Sequence, residues 1–186
     1  GDHAMAKSPL PSPEVLRQRL DYSPETGRLL WKAWSGAPKS WNSRYPGTAA
    51  LNYRMKNGYL QGALCNVLTT AHRVIWAMHT GNDPGPMDID HIDRNPSNNV
   101  WGNLRLSTGS ENQYNKRGKM FTSSKYKGVS ASKYRKWVAS IRVAGTPIHL
   151  GTFRCETSAA IAYDLAARKM HGQFALTNYM VAGNDP

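Results

Sequence analysis

One polar segment, residues 87–112, constrains the fold of this chain more than any other. It opens with Met-Asp-Ile-Asp-His-Ile-Asp, a short alternation that predicts a strand, and continues into an Asn- and Pro-rich loop. A second apolar run begins at Leu104, and the four residues from Thr108 to Glu111 form a capping box that starts a helix. The predicted order is therefore strand, loop, strand, helix, with His91 among carboxylate and amide side chains.

These side chains suit the hydrolysis of a phosphodiester. A neutral imidazole near pH 7 is a good general base, so His91 can activate water. A hard divalent cation prefers carboxylate and amide oxygens, and Asp90 and Asn112 supply one of each. So few protein ligands would hold one metal ion that retains several waters.

The pattern Asp90-His91, Asn103 and Asn112 resembles the HNH nuclease signature, in the variant of phage and intron homing endonucleases in which Asn replaces the final His. Asn103 lies 12 positions after His91, and Asn112 lies nine positions after Asn103, which fits that signature. The resemblance extends over about residues 10–117. It implies an α+β fold with a ββα-metal core at about 87–117 and a β-rich N-terminal extension.

The same resemblance implies roles for the motif residues. Asp90 and Asn112 would bind one Mg²⁺ or Mn²⁺ ion, His91 would be the general base, and Asn103 would tether the loop that orients the His91 ring. An isolated Asp-His pair is more often structural, and it is the matching asparagines that favour catalysis here. Asn98 and Asn99 are expected to be turn residues that satisfy local backbone.

For two further residues, two roles are possible. Arg105 can contact a DNA phosphate or form a structural salt bridge, and the two are equally expected. His72 can pack in the core or contact phosphate, and it is not assigned to the catalytic set.

The charge of the chain predicts a polyanionic partner. The 186 residues carry a net charge of +12, and the sequence pI is about 9.9, which favours nucleic acid over a merely soluble basic protein. No segment is apolar enough to span a membrane. Cys65 and Cys155 lack C-x-x-C spacing, so no structural zinc is predicted, and both are expected to be reduced, buried thiols of an intracellular protein.

Local patterns predict the remaining elements and the domain limits. Helices are expected at 13–20, 70–79 and 157–171, and strands at 28–32, 59–64, 127–131, 137–143 and 148–153, with irregular loops and short strands over 33–58. The helix that starts at Thr108 should carry Asn112, Asn115 and Lys116 and end at Gly118. Residues 1–9 are taken as a tag or disordered, 10–117 as the nuclease domain, 118–125 as a linker and 126–180 as a second domain.

The second domain resembles the AP2/ERF DNA-binding domain. The matching text is Tyr-Lys-Gly-Val at 126–129, Lys-Trp-Val-Ala-Ser-Ile-Arg at 136–142, Leu-Gly-Thr-Phe at 150–153 and Ala-Ala-Ile-Ala-Tyr-Asp at 159–164. The resemblance implies a three-stranded antiparallel sheet that lies in the DNA major groove and packs on one helix. By alternation Trp137, Ala139 and Ile141 should face the helix.

The family's contact positions, carried over residue by residue, predict a DNA-binding set. It comprises Lys127, Ser130, Ser132, Tyr134, Ser140, Arg142, His149 and Thr152, with added backbone charge from Lys133, Arg135 and Lys136. Ser130 and Ser132 stand where plant regulators place guanine-reading arginines, so a looser sequence preference is expected.

The sequence therefore predicts a metal-dependent endonuclease of homing type that nicks double-stranded DNA, in the cytoplasm of a bacterial or phage-infected host. One alternative is a non-catalytic sequence-specific DNA-binding regulator, and another is a protein directed at RNA. Whether the chain is a monomer or a homodimer stays open.

Overall fold

The computed structural model describes residues 9–116 and 123–179 of the chain. It divides into two compact units, Gly1–Ser107 and Thr108–Pro186. The predicted linker at 118–125 lies mostly outside the described residues, and the domain limits drawn from sequence stay a prediction. Within the described parts of the chain, no helix is long and apolar enough to cross a membrane.

The first unit combines short helices with three small antiparallel sheets. Its elements are α1 (Pro13–Arg19), β1 (Leu20–Ser23), β2 (Arg28–Trp31), α2 (Lys39–Arg44), β3 (Tyr53–Arg54), β4 (Leu60–Leu64), β5 (Val67–Thr70), α3 (Ala71–Thr80), β6 (Asp88–His91) and β7 (Leu104–Ser107). The strands pair as β1-β2, β3-β4-β5 and β6-β7. A single 3₁₀ turn, Trp101–Asn103, leads into β7.

Helix α3 supplies the centre of the first core. Val74, Ile75 and Met78 are buried, as the predicted apolar stripe requires. The helix ends where Gly81 adopts a left-handed conformation with φ of 78°. Leu16 of α1 and Ile89 of β6 are buried in the same cluster, so the strand that carries the HNH-like Asp-His pair is anchored in this core.

The N-terminal region is more regular than its sequence predicts. Helix α1 stops at Arg19, one residue before its predicted end, because Leu20 begins β1 and pairs with Trp31. A short helix, α2, forms within the region 33–58, where irregular loops with short strands were expected.

The prediction that both cysteines are buried is wrong. Cys65 and Cys155 are exposed thiols. Cys65 and Asn66, both with positive φ, form the turn between β4 and β5, and Cys155 is the N-cap of a helix. Turns and helix ends lie at the surface, which is why neither thiol reaches a core.

The second unit contains α4 (Gly109–Tyr114), β8 (Val129–Ala131), β9 (Trp137–Val143), β10 (Thr146–Phe153) and α5 (Glu156–His171). The strands form an antiparallel sheet in the order β10-β9-β8. Ala139 and Ile141 are buried, and Trp137 packs beside them against the helix side of the core, so the predicted alternation is confirmed for β9. Small residues on α5, such as Ala159 and Ala160, let the helix approach the sheet closely.

Two contacts close this sheet-and-helix unit. Gly128 has a φ of 76°, and a Cβ there would lie 1.9 Å from Cδ2 of Tyr163, so only glycine fits. Asp164 accepts hydrogen bonds from the backbone N–H groups of Asn178 and Tyr179 at 2.8 and 2.9 Å. The Asn178 side chain accepts a hydrogen bond from the N–H of Lys127 and donates one to its carbonyl, which ties Asn178 to the segment just before β8.

Helix α4 begins as predicted and ends early. The reciprocal capping box of Thr108 and Glu111 is present. The helix stops at Tyr114, so Asn115 is its C-cap and the predicted extension through Lys116 is wrong; Gly118 lies outside the described residues. The Tyr114 ring stacks on His171 with centroids 3.7 Å apart, which gives the short helix a tertiary partner that its own sequence does not reveal.

Candidate active site

The strands β6 and β7 place an ion pair at the centre of the candidate site. Asp90 lies opposite Arg105 in the antiparallel register. Oδ2 of Asp90 accepts hydrogen bonds from Nε of Arg105 at 2.9 Å and from Nη2 at 2.7 Å, and the carboxylate is buried. Of the two interpretations of Arg105, the structure therefore contains the salt bridge.

His91 is the last residue of β6 and is 3% exposed. Its Nε2 lies 3.0 Å from Oδ1 of Asn99, an acceptor, so the neutral ring carries its proton on Nε2 and its lone pair on Nδ1. Burial lowers the pKa of His91, an effect that the hydrogen bond to Asn99 and the nearby carboxylates of Asp93 and Asp90 oppose. A lowered pKa keeps the imidazole neutral near pH 7, which is the form a general base needs.

Two aromatic rings enclose the imidazole on other sides. The ring centroid of His72 lies 5.3 Å from that of His91, and Tyr59 lies 5.7 Å from His91 and 5.0 Å from His72. Burial, followed by the charges of Asp90 and Asp88, raises the pKa of Tyr59, so its hydroxyl stays protonated. The imidazole is thus enclosed by side chains from three separate segments of the chain.

The loop after His91 is fastened by Asn103. Oδ1 of Asn103 accepts the backbone N–H of Asp93 at 2.9 Å, while its Nδ2 donates to Oδ1 of Asp93 at 2.9 Å and to the carbonyl of Asn98 at 2.8 Å. These bonds fold the loop so that Asn99, the next residue, meets His91. The geometry agrees with the tethering role that the resemblance implies for Asn103.

Three residues of this site escaped the sequence interpretation. Asn99 is not a turn residue that satisfies local backbone, because its side chain is buried against His91. His72 was left undecided, and Tyr59 was placed only in a strand. The one available signal was His72, a polar residue one turn before Ile75 on the buried side of a predicted helix.

Known proteins match this region. A family model described as HNH endonuclease matches residues 69–114. Protein 3.8 of Escherichia phage T7 is 34% identical over 105 residues, which cover 56% of this chain and 86% of that protein. A protein of Acanthamoeba polyphaga mimivirus named an uncharacterized HNH endonuclease is 36% identical over 108 residues, 58% of this chain and 56% of its own length. The chain contains an HNH endonuclease domain.

A third relative is named for other domains than HNH. An AP2/ERF and B3 domain-containing transcription repressor from Arabidopsis thaliana is 41% identical over 86 residues, which cover 45% of this chain and 24% of that protein. The HNH chain thus spans about half of the mimivirus relative and a quarter of the plant repressor.

HNH nucleases typically use a divalent cation, and the donors present fit a hard ion. Asp90, on β6, offers a carboxylate, and Asn112, on α4, offers an amide oxygen. Among the described residues no three His, Cys, Asp or Glu side chains gather into a metal site. A cation at Asp90 would have to share the carboxylate with the Arg105 guanidinium or displace it.

The remaining predicted site residues lie in the second unit. Asn112 is on α4. The strand register places Ser130, Ser140, Arg142, His149 and Thr152 on the sheet face opposite α5, because each is cross-strand neighbour to another residue of that face.

The turn between β8 and β9 adds exposed residues of the predicted set. These are Tyr134, Arg135 and Lys136, with Tyr134 82% exposed, and Ser132 precedes them half-buried. Lys127 differs from the rest, because its ammonium group donates to the backbone carbonyls of Tyr114 and Lys116. Its charge is thus engaged at the end of α4.

Proposed function

We propose that this HNH endonuclease nicks double-stranded DNA by metal-dependent hydrolysis of a phosphodiester bond, with His91 as the general base. The observation that carries the proposal is the buried His91 ring, neutral and fixed through Nε2 by Asn99. A base that is held in one tautomer and shielded from bulk water can accept a proton in a defined direction.

His91 would act through Nδ1. The imidazole takes a proton from a water molecule, and the resulting hydroxide attacks phosphorus in line with the leaving 3′ oxygen. The bond between phosphorus and that oxygen breaks, which leaves 5′-phosphate and 3′-hydroxyl ends. Asn103 supports the step indirectly, since it holds the loop from which Asn99 orients the ring.

Asp90 and Asn112 are the residues that would hold one Mg²⁺ or Mn²⁺ ion, in the ββα-metal arrangement of the family. When bound, such an ion stabilises the negative charge of the leaving oxygen and the pentavalent phosphorus. The position of Asp90 supports this assignment, because the hydrogen bond from Arg105 on the paired strand holds the buried carboxylate in a fixed place on β6.

The second unit would be an AP2-like module that places the nuclease on duplex DNA. Support comes from the relative named for an AP2/ERF domain and from an open sheet face that carries Arg142 and His149 beside the exposed Arg135 and Lys136. Hydroxyl groups at Ser130 and Ser132 discriminate bases less than arginine does, so the module would tolerate many sequences.

The test is incubation of supercoiled plasmid with the full chain and Mg²⁺ or Mn²⁺, with EDTA as the control. Open circles whose nicks a DNA ligase reseals would support metal-dependent nicking that leaves 5′-phosphate and 3′-hydroxyl ends; linear product would instead indicate paired sites in a dimer. Cleavage that persists in EDTA would contradict the metal requirement. Stronger competition by double-stranded RNA than by duplex DNA would contradict the proposal that duplex DNA is the substrate. A sheet that fits a B-form major groove cannot enter the narrow major groove of RNA.

A further inference from the structure

The first unit has a one-sided distribution of charge. No Asp or Glu occurs between Glu25 and Asp83, and seven Lys and Arg residues lie in that interval. They are Arg28, Lys32, Arg73, Lys39, Arg44, Arg54 and Lys56. A surface so depleted of acid attracts a polyanion wherever its cations are accessible.

Internal contacts already use some of these cations. Arg73 is buried and pairs with Asp83 at 2.9 Å, and Lys32 pairs with Asp21. Arg54 and Lys56 differ: both are exposed, and neither side chain has a hydrogen bond or ion pair to any residue that the structure describes. They lie at the tip of the hairpin formed by β3 and β4, residues 53–64, which we call the tip hairpin.

The tip hairpin is attached to the catalytic loop. Ser97, in the loop after His91, donates from Oγ to the carbonyl of Gly58 at 2.7 Å. Gly58 has a φ of 89°, and its open side faces the ring of Pro96, whose Cγ would lie 3.4 Å from an added Cβ. The next residue, Tyr59, packs on the His91 ring. The position of the tip is therefore fixed relative to the general base.

One face of the sheet β3-β4-β5 is exposed to solvent and continues toward Tyr59, which packs on His91. Tyr53 lies opposite Gln61, which lies opposite Thr70, so the three share a face, and by alternation Tyr59 continues it. Tyr53 is 66% exposed, and Leu68 on the same face is 67% exposed. Arg54, paired with Leu60, alternates to the other face of this two-residue edge strand, so the open face supplies the aromatic ring, and the edge and tip of the hairpin supply the cations. An exposed aromatic ring bordered by unpaired cations is a combination that binds a nucleic-acid strand.

We propose that Tyr53, Arg54 and Lys56 bind the sugar-phosphate backbone of the substrate DNA next to the phosphate that is cleaved. The inference rests on the proposed nuclease function, and it assigns to the N-terminal unit a DNA contact of its own. Arg54 and Lys56 neutralise phosphates, and the Tyr53 ring packs against a sugar or base. The contact is independent of sequence, so it adds affinity and register without adding specificity.

The test is the salt dependence of DNA binding by the full chain in EDTA, measured by fluorescence anisotropy with a labelled duplex of mixed sequence. The double variant Arg54→Ala and Lys56→Ala should bind on the order of tenfold more weakly, and the slope of log affinity against log salt should fall by about 2. The matched control removes two exposed cations from α5, Arg168→Ala and Lys169→Ala, and should keep the wild-type slope. Tyr53→Ala should weaken binding more than Tyr53→Phe does.

Equal slopes for the hairpin variant and the α5 control would overturn the proposal. All the exchanged side chains are exposed, and of the four cations only Arg168 donates a hydrogen bond to a described residue, the carbonyl of Tyr179 at 3.3 Å. Thermal unfolding should therefore change little, and a hairpin variant that fails this check is replaced by Arg54→Gln and Lys56→Gln. The measurement needs no cleavage. A chain that binds through the hairpin and never cuts DNA would refute the nuclease mechanism alone, whereas one that cuts with an unaltered slope would refute the hairpin contact alone.

Discussion

Asn99→Ala is the substitution that most directly probes how the general base is held. Asn99 is 1% exposed, and its Oδ1 lies 3.0 Å from Nε2 of His91. Its backbone carbonyl accepts a hydrogen bond from the Tyr22 hydroxyl at 2.9 Å, which alanine preserves. The substitution therefore removes one side-chain hydrogen bond and leaves the loop anchored.

Two effects follow from the loss of that bond. The Nε2–H of His91 becomes an unsatisfied buried donor, which should lower the free energy of unfolding by about 1–3 kcal/mol. The ring is also no longer held in one tautomer and orientation. Partners that orient a functional histidine commonly change activity by about 10–100-fold, so a rate loss in that range is expected.

The assay is single-turnover nicking of plasmid at saturating protein, with ¹⁵N NMR of the His91 ring to report its tautomer. We expect the single-turnover rate constant for nicking to fall, the affinity for DNA to be unchanged, and the population with Nε2 protonated to decrease. Asn98→Ala is the control, because it removes the exposed bond of Asn98 to Asp93 at 2.7 Å and spares the His91 contact. Wild-type nicking by Asn99→Ala, with the ring tautomer unchanged, would refute the positioning argument.

Two further predictions concern the second unit. Gly128→Ala should destabilise it by about 2–4 kcal/mol in chemical denaturation, because the new Cβ meets Tyr163 and φ is positive. The control Gly145→Ala has a φ of 82° and no neighbour within 4 Å, so it should cost only about 1 kcal/mol. Similar costs for the two variants would contradict the close packing at Gly128. Hydrogen bonds from Ser158 and then Thr157 lower the pKa of the exposed Cys155 to about 7, so iodoacetamide in a Cys65→Ser background should alkylate it with a midpoint near that pH. Ser158→Ala should move the midpoint upward, and an unchanged midpoint would count against the hydrogen bond.

Elements with strong local signals could be predicted from the sequence. The stripe of Val74, Ile75 and Met78 gave α3, and the capping box at Thr108 gave the start of α4. Alternation gave the buried face of β9. Each signal depends on residues within a few positions of one another, so tertiary contacts could not override it. The end of α4 was missed, because it is set by tertiary contacts such as the Tyr114 ring stacking on His171.

The candidate site was predictable only in part. The motif located Asp90, His91 and Asn103, whose spacing is local. It did not reveal Tyr59 and His72, because their contacts with His91 arise from packing between separate elements. Asn at a turn position most often bonds nearby backbone, and only the folded loop shows that Asn99 bonds a ring instead.

The central claim is that His91 acts as the base of a DNA nuclease. The measurement that tests it most directly is the single-turnover nicking rate of His91→Ala with Mg²⁺ or Mn²⁺, beside wild type and with DNA binding measured on the same samples. Loss of a general base should slow cleavage by about 10²–10⁴-fold while binding is retained. Cleavage by His91→Ala at the wild-type rate would contradict the account.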